Sequence, residues 1–121
     1  MPDSQTEKVH AEEFVISEAN RFRSRENITV VSGQNLVAGA VLGKITSGGK
    51  YKAYDDDASD GSQAAAGILC QAVDASGGDK DGAILIRDAE VDGDLLNWGS
   101  NDSSEITAGI ADLLALGIIV R

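Results

Sequence analysis

The chain has 121 residues, a length that fits one domain. A domain of that size buries roughly 65% of its unfolded surface, enough for a single core. Twenty acidic against ten basic residues give a net charge of −10, which argues against binding a nucleic-acid backbone. The five aromatic side chains, Phe14, Phe22, Tyr51, Tyr54 and Trp98, are few bulky anchors for a core, and small domains so built often gain stability from a partner or from copies of themselves.

Residues 1–11 are polar and patternless, and an unpaired tail is expected there. They lack the apolar segment of a leader, and no run in the chain approaches the ~20 apolar residues of a membrane span. The expectation is a protein that is made in and stays in the cytoplasm, or leaves it by cell lysis. His10 stands apart from any other plausible ligand, so a solvated imidazole is expected.

Residues 12–26 differ in kind. Phe14-Val15-Ile16 is a short β-former, followed by Ser17-Glu18-Ala19-Asn20. Arg21-Phe22-Arg23-Ser24-Arg25 then alternates strictly, so an extended chain puts the three arginines on one face. Two readings fit: a solvated edge strand, or an arm lying on another protein, with Phe14 and Phe22 as anchors and the arginines meeting carboxylates. The second reading divides the chain into a tail and arm at 1–26 and a β-rich domain at 27–121. Little in 12–26 marks it as core of that domain, so a chain starting at Asn27 is expected to keep its stability.

Ile28-Thr29-Val30-Val31 predicts a strand, closed by Ser32-Gly33. Val41 to Thr46 and Lys50 to Tyr54 are β-leaning runs joined across Gly48-Gly49, a dipeptide suited to a hairpin turn. An acidic loop, 55–62, leads to the small-residue run Ala64 to Val73, read as a buried central strand. Cys70 lies on it as the single cysteine, so no intrachain disulfide can form, and a buried small hydrophobe is expected. Residues 74–82 read as a loop and Ala83 to Arg87 as a strand with apolar residues on both faces. Asp102 three residues before Glu105 has capping-box spacing. Ile106, Ile110, Leu113 and Leu114 follow at helical spacing, with Gly109 on the same face where another backbone could approach. Gly117 suits a helix end, and Ile118-Ile119-Val120 predicts a last strand.

Sites of chemistry do not emerge. Gly43 and Gly48 have phosphate-loop spacing, but Gly49 stands where that motif needs Lys. Counted from Asp55, the glycine and glutamate positions of an EF-hand hold Asp60 and Ala66, so no structural calcium is expected there. The lone His and lone Cys lie 60 positions apart, and no catalytic residue, cofactor or metal ligand is assigned. Trp98 either plugs the core or anchors an interface.

In their order and spacing, several segments resemble the lambda-type bacteriophage head decoration protein family. They are Glu13 to Asn20 with Arg23-Ser24-Arg25-Glu26, Leu36 to Lys44, Ala53-Tyr54-Asp55, and Asp60-Gly61 with Ala66-Gly67-Ile68-Leu69. Ile86 to Val91, Leu96-Asn97-Trp98 and Leu116 to Arg121 complete the set. Gly99 departs from the Pro common after that Trp. The resemblance spans 12–121 and implies a mainly β fold with one short C-terminal helix, a β-clip-like incomplete barrel with an extended N-terminal arm. It implies no enzyme but a capsid cement, binding the expanded head shell from outside as homotrimers at local threefold sites and resisting internal DNA pressure. The partners implied are the major capsid protein and the chain itself, with neither nucleic acid nor membrane. The arm residues that carry the capsid contact under this reading are Phe14, Val15, Ile16, Ser17, Glu18, Arg21, Phe22, Arg23 and Arg25, with Trp98 as a further trimer or capsid contact. Two other classes compete. A β module binding a small ligand or polysaccharide would display more aromatic platforms. A trimeric β-clip nucleotide hydrolase would carry phosphate and metal motifs.

Overall fold

Residues 14–18 and 24–121 are described in a computed structural model. Among the described residues the elements run in the order β1 (Val15–Glu18), β2 (Arg25–Val30), β3 (Asn35–Leu36), β4 (Val41–Lys44), β5 (Tyr51–Ala53), β6 (Ala65–Leu69), β7 (Val73–Asp74), β8 (Lys80–Leu85), β9 (Ala89–Val91), α1 (Ser103–Ala115) and β10 (Ile118–Val120), with a 3-10 turn at Gly93–Leu95 before the helix. The fold is mainly β with one C-terminal helix, as the sequence predicts.

The hairpin forms where two glycines permit it. Gly48 and Gly49 take φ of 93° and 72°, and the flanking strands pair antiparallel from Leu42↔Ala53 to Lys44↔Tyr51. β6 lies on the other side of β4, with a register shift between Leu42 and Gly43, and β8 pairs β6 through Ile68↔Leu85 and Leu69↔Ile84. β2 runs antiparallel to β8 over the whole span Arg25↔Leu85 to Val30↔Lys80. β2 then meets β5 in parallel at Val30↔Tyr51, where the Val31 amide donates to the Tyr51 carbonyl at 2.9 Å. The five strands β2-β5-β4-β6-β8 thus make a closed barrel. An incomplete barrel was expected, and the ring does close, but its last seam is a single residue pair.

Three apolar doublets decide how the rest packs. Val41-Leu42, Ile68-Leu69 and Ile84-Leu85 sit on β4, β6 and β8, and successive side chains of a strand point to opposite faces. Leu42, Leu69 and Ile84 join Ile28, Val30 and Tyr51 in a cluster fed by all five barrel strands. Val41, Ile68 and Leu85 belong to a second cluster with Phe14, Tyr54, Val91, Leu113 and Ile118. The outer face of these strands is therefore covered, by α1 and by a small sheet ordered β1-β9-β10. In that sheet β1 is antiparallel and β10 parallel to β9. β3 and β7 form a separate two-stranded ladder.

The helix begins on a complete capping box. The Asp102 side chain accepts from the Glu105 amide at 2.9 Å, and the Glu105 carboxylate accepts from the Asp102 amide at 2.8 Å. It ends at Gly117, whose φ of 86° lets the chain turn into β10. The buried positions of α1 are Gly109 and Leu113, and Leu114, expected on the same stripe, is 60% exposed. Leu114 follows Leu113 by about 100° around the axis and passes the edge of the buried face. β8 starts at Lys80 rather than at Ala83, because its pairing with β2 is a backbone ladder that carries Lys80-Asp81-Gly82 along despite their polarity.

The first described residues are built into the body. Phe14 has no exposed surface and lies in the second core cluster, and the Asp92 amide donates to its carbonyl at 2.8 Å. A division between Glu26 and Asn27 also runs through the middle of β2. Residues expected to stand apart from the core thus supply part of it. Phe14→Ala is expected to cost about 3–5 kcal/mol, the usual range for emptying a buried phenylalanine site. A chain starting at Asn27, which loses Phe14, β1 and the Arg25 and Glu26 ladder positions, is expected to melt well below the full chain. Thermal melts followed by circular dichroism check both, and an unchanged midpoint in the short chain would show that β1 adds nothing.

Candidate functional site

Of the residues read as an arm, the structure describes Phe14, Val15, Ile16, Ser17, Glu18 and Arg25, while Arg21, Phe22 and Arg23 lie outside the described residues. Val15 is half-buried and packs on the core beside Phe14. Ile16 falls in the register shift between Val15 and Ser17, a bulge that leaves it 54% exposed. Ser17 is exposed opposite Glu90.

Glu18 and Arg25 are drawn together. The Glu18 carboxylate accepts from Arg25 Nε at 3.0 Å and from the guanidinium's terminal nitrogen at 2.5 Å, a two-pronged pair. It also accepts from the hydroxyl of Ser24, which is fully buried, at 2.5 Å. The Arg25 side chain is only 12% exposed. This changes the expected row of three arginines, because Arg25 is turned to its own Glu18. Alternation along an extended strand fixes which face a residue takes, but not what already waits there.

Trp98 packs on the core. One edge packs against the core cluster, with its ring 6.0 Å from that of Tyr54 in an edge-to-face arrangement at 76°. The other edge helps line a cleft of about 210 Å³ with Leu36, Val37, Ala53 and Asn97. Asn101, which the sequence gave no reason to single out, fixes this corner: its side-chain amide donates to the carbonyls of Tyr54 and Trp98 at 2.8 and 2.7 Å. The Tyr54 hydroxyl donates to the Glu105 carbonyl at 2.8 Å, and burial together with the neighbouring Asp56 raises its pKa well above the usual phenol range. The close approach expected at Gly109 is present, but the neighbour is aromatic rather than backbone. A β-carbon there would lie 2.5 Å from Trp98 Cζ3 and 3.0 Å from Tyr54 Cε2.

The acidic loop is tied to the hairpin. The Thr46 amide donates to the Asp60 carbonyl at 2.8 Å, and the Asp60 carboxylate accepts from the Ser62 hydroxyl and amide at 2.6 and 3.0 Å. The Ser62 bonds, with Lys52 at 3.5 Å, lower the Asp60 pKa to about 2. Asp56 and Asp57 come near Glu105, with one oxygen from each within 4.8 Å of the others. The Glu105 carboxylate already accepts from the Asp102 amide, and Asp56 lies 3.2 Å from the Tyr54 hydroxyl, whose proton goes to the Glu105 carbonyl. Cys70 is buried, as expected, which withholds its thiol from solution.

The described residues assemble a small barrel with its outer face clad by a sheet and a helix, matched Glu–Arg pairs, and a half-buried Trp beside a shallow cleft. The family model for the bacteriophage lambda head decoration protein D matches residues 4–118, and the chain belongs to that family. No curated protein matches the chain. Membership makes it a component of the phage capsid.

Gly109→Ala is expected to destabilise by roughly 1 kcal/mol, since the overpacking cost of about 1–3 kcal/mol exceeds the ~1 kcal/mol gain in helix propensity. Displacement of the indole should shift Trp98 fluorescence, and a raised melting midpoint would show that the ring moves aside freely. Asp60→Asn is expected to lower the melting midpoint at neutral pH. A carboxylate with a depressed pKa stabilises the fold above its unfolded value of about 4 and loses that contribution as pH falls through about 2. The difference between wild type and variant should therefore be full at neutral pH and close below about pH 2. Melts with calcium and with chelator are expected to coincide, because the loop from Asp55 lacks the glycine and glutamate positions of an EF-hand and the Glu105 carboxylate is taken by the Asp102 amide; a chelator-induced drop would show a structural cation.

Proposed function

We propose that this chain is a non-enzymatic cement protein that binds the expanded head shell from outside, as trimers at local threefold sites, and stabilises it against the pressure of packaged DNA. The family match over residues 4–118 carries this reading. The mechanism is thermodynamic. A protein that binds the expanded shell and not its precursor shifts the equilibrium by its differential binding free energy. Many sites, each bridging neighbouring capsid subunits, make a modest affinity per site sufficient. The chain would be made in the host cytoplasm and end on the outer surface of the virion.

The arm keeps a part in the proposal, reduced by what the fold uses. Phe14 serves the core and Arg25 serves Glu18. Arg21, Phe22 and Arg23 are the residues assigned to the major capsid protein, with Phe22 as the apolar anchor and the two arginines meeting shell carboxylates. Each exposed pair is worth under about 1 kcal/mol, a small amount that repetition over three copies multiplies.

Co-sedimentation with bare expanded shells tests this, with electron microscopy of the decorated particles locating the sites. Wild type is expected to bind and to appear as threefold protrusions. Arg21→Ala with Arg23→Ala should weaken binding, more at low salt than at high, while leaving the melting midpoint in place. Full-strength binding by that variant and by Phe22→Ala would place the attachment on the β body. Failure of wild type to bind any expanded shell would sink the proposal.

A further inference from the structure

Among the described residues, β1 and β10 are the outermost strands of the small sheet, in the order β1-β9-β10. Each edge carries an exposed isoleucine, Ile16 on β1 and Ile119, 39% exposed, on β10. Leu114 and Leu116, at the end of the helix that leads into β10, complete the exposed large hydrophobics among the described residues. The apolar surface of the body is thus gathered at one sheet and the turn that feeds it.

Charge marks the same region. Ser17, Glu90 and Ile119 form one row across the sheet, and Glu90 on that row is matched by Arg121 at 3.1 Å. Glu18 on β1 is matched by Arg25. Copies of a chain with net charge −10 repel one another wherever acidic loops meet, and repulsion is least where each carboxylate already has its cation. A second copy is the occupant that this combination of cancelled charge, apolar side chains and outermost strands fits.

We propose that β10 of one copy lies along β1 of the next, so that the small sheet continues from copy to copy. The inference rests on the trimer reading above and names the contact that would build the trimer. Two different edges in contact make a heterologous interface, which closes into a ring when the rotation per copy allows, whereas a face meeting itself gives only a twofold dimer. Backbone groups on the outer sides of both strands gain partners, and Ile119 of one copy packs beside Ile16 of the next.

Cysteine pairing tests the contact. Ile16→Cys, Ile119→Cys and the double variant are oxidised both free at high concentration and bound on bare expanded shells, then separated under denaturing, non-reducing conditions. The double variant alone is expected to give covalent dimers and trimers on shells. Monomers from shells saturated with the double variant would overturn the proposal, as would efficient dimers from either single variant, which would mean an edge meeting itself. As a second arm, Ile119→Lys at its exposed position should keep the melting midpoint yet bind shells roughly tenfold more weakly, the effect of losing one apolar side chain from an interface; unchanged binding overturns the contact. Wild-type chain that fails to sediment with shells defeats the decoration reading instead, and cross-linking of the free double variant then decides the contact by itself.

Discussion

The architecture depends on burying both faces of β4, β6 and β8. Each of these strands carries an apolar doublet, and a doublet cannot be satisfied by a barrel alone, because one of its two side chains must point outward. Val41, Ile68 and Leu85 point away from the cluster that holds Leu42, Leu69 and Ile84. Something must cover them, and the chain supplies the helix, the β9–β10 ladder and Phe14. Outer cladding and barrel are in this sense one structure. Packing tolerances follow from that arrangement. On β6, a β-carbon at Gly67 would come within 2.9 Å of the Leu85 carbonyl, and at Gly43 on β4 it would come within 2.5 Å of the Ser62 backbone, so the neighbouring strand β8 and the acidic loop sit as close as the main chain permits.

Charge is arranged around this frame in two ways. The described arginines, Arg25, Arg87 and Arg121, are matched by Glu18, Glu26 and Glu90. The aspartates of the loops are instead turned back on their own backbone: Asp60, Asp74 and Asp102 each accept a hydrogen bond from an amide two or three residues on. Their depressed pKa values share that cause, bonds from nearby Ser side chains and amides, and not burial. The acidic excess is therefore partly a set of turn-forming groups.

Local features were legible in the sequence because they are decided locally. The turn at Gly48-Gly49, the capping box at Asp102 and the stop at Gly117 each follow from residues a few positions apart, whereas the run Ala64 to Val73, expected as one strand, ends its strand at Leu69 and leaves Cys70 buried just beyond it. Ala83 to Arg87 announced two-sided burial without saying what lay on the second side. What escaped were contacts between distant segments. Nothing near Phe14 in sequence tells that Val91 and Ile118 wait for it, and the arginine alternation gave no sign that Glu18 would claim Arg25. At Gly109 the spacing correctly implied a close neighbour, but whether that neighbour is a backbone or the indole of Trp98 depends on the 3-10 turn and the loop after it. Leu114 shows the limit of periodicity itself: a stripe of apolar residues is wider than the face that this one helix buries. The family resemblance read from ordered segments agreed with the family match, because order and spacing sum weak local signals over the whole chain.

The position of Phe14 has a mechanical side. Glu18 is bonded to Arg25 on the barrel strand β2, while Val15, Ser17 and Glu18 pair with β9 on the small sheet, and Phe14 is seated between the two. Tension on the chain upstream of Phe14 would not be taken up by slack loop. It would be divided at once between barrel and small sheet, so that the anchor point of any tether is the interior of the protein itself.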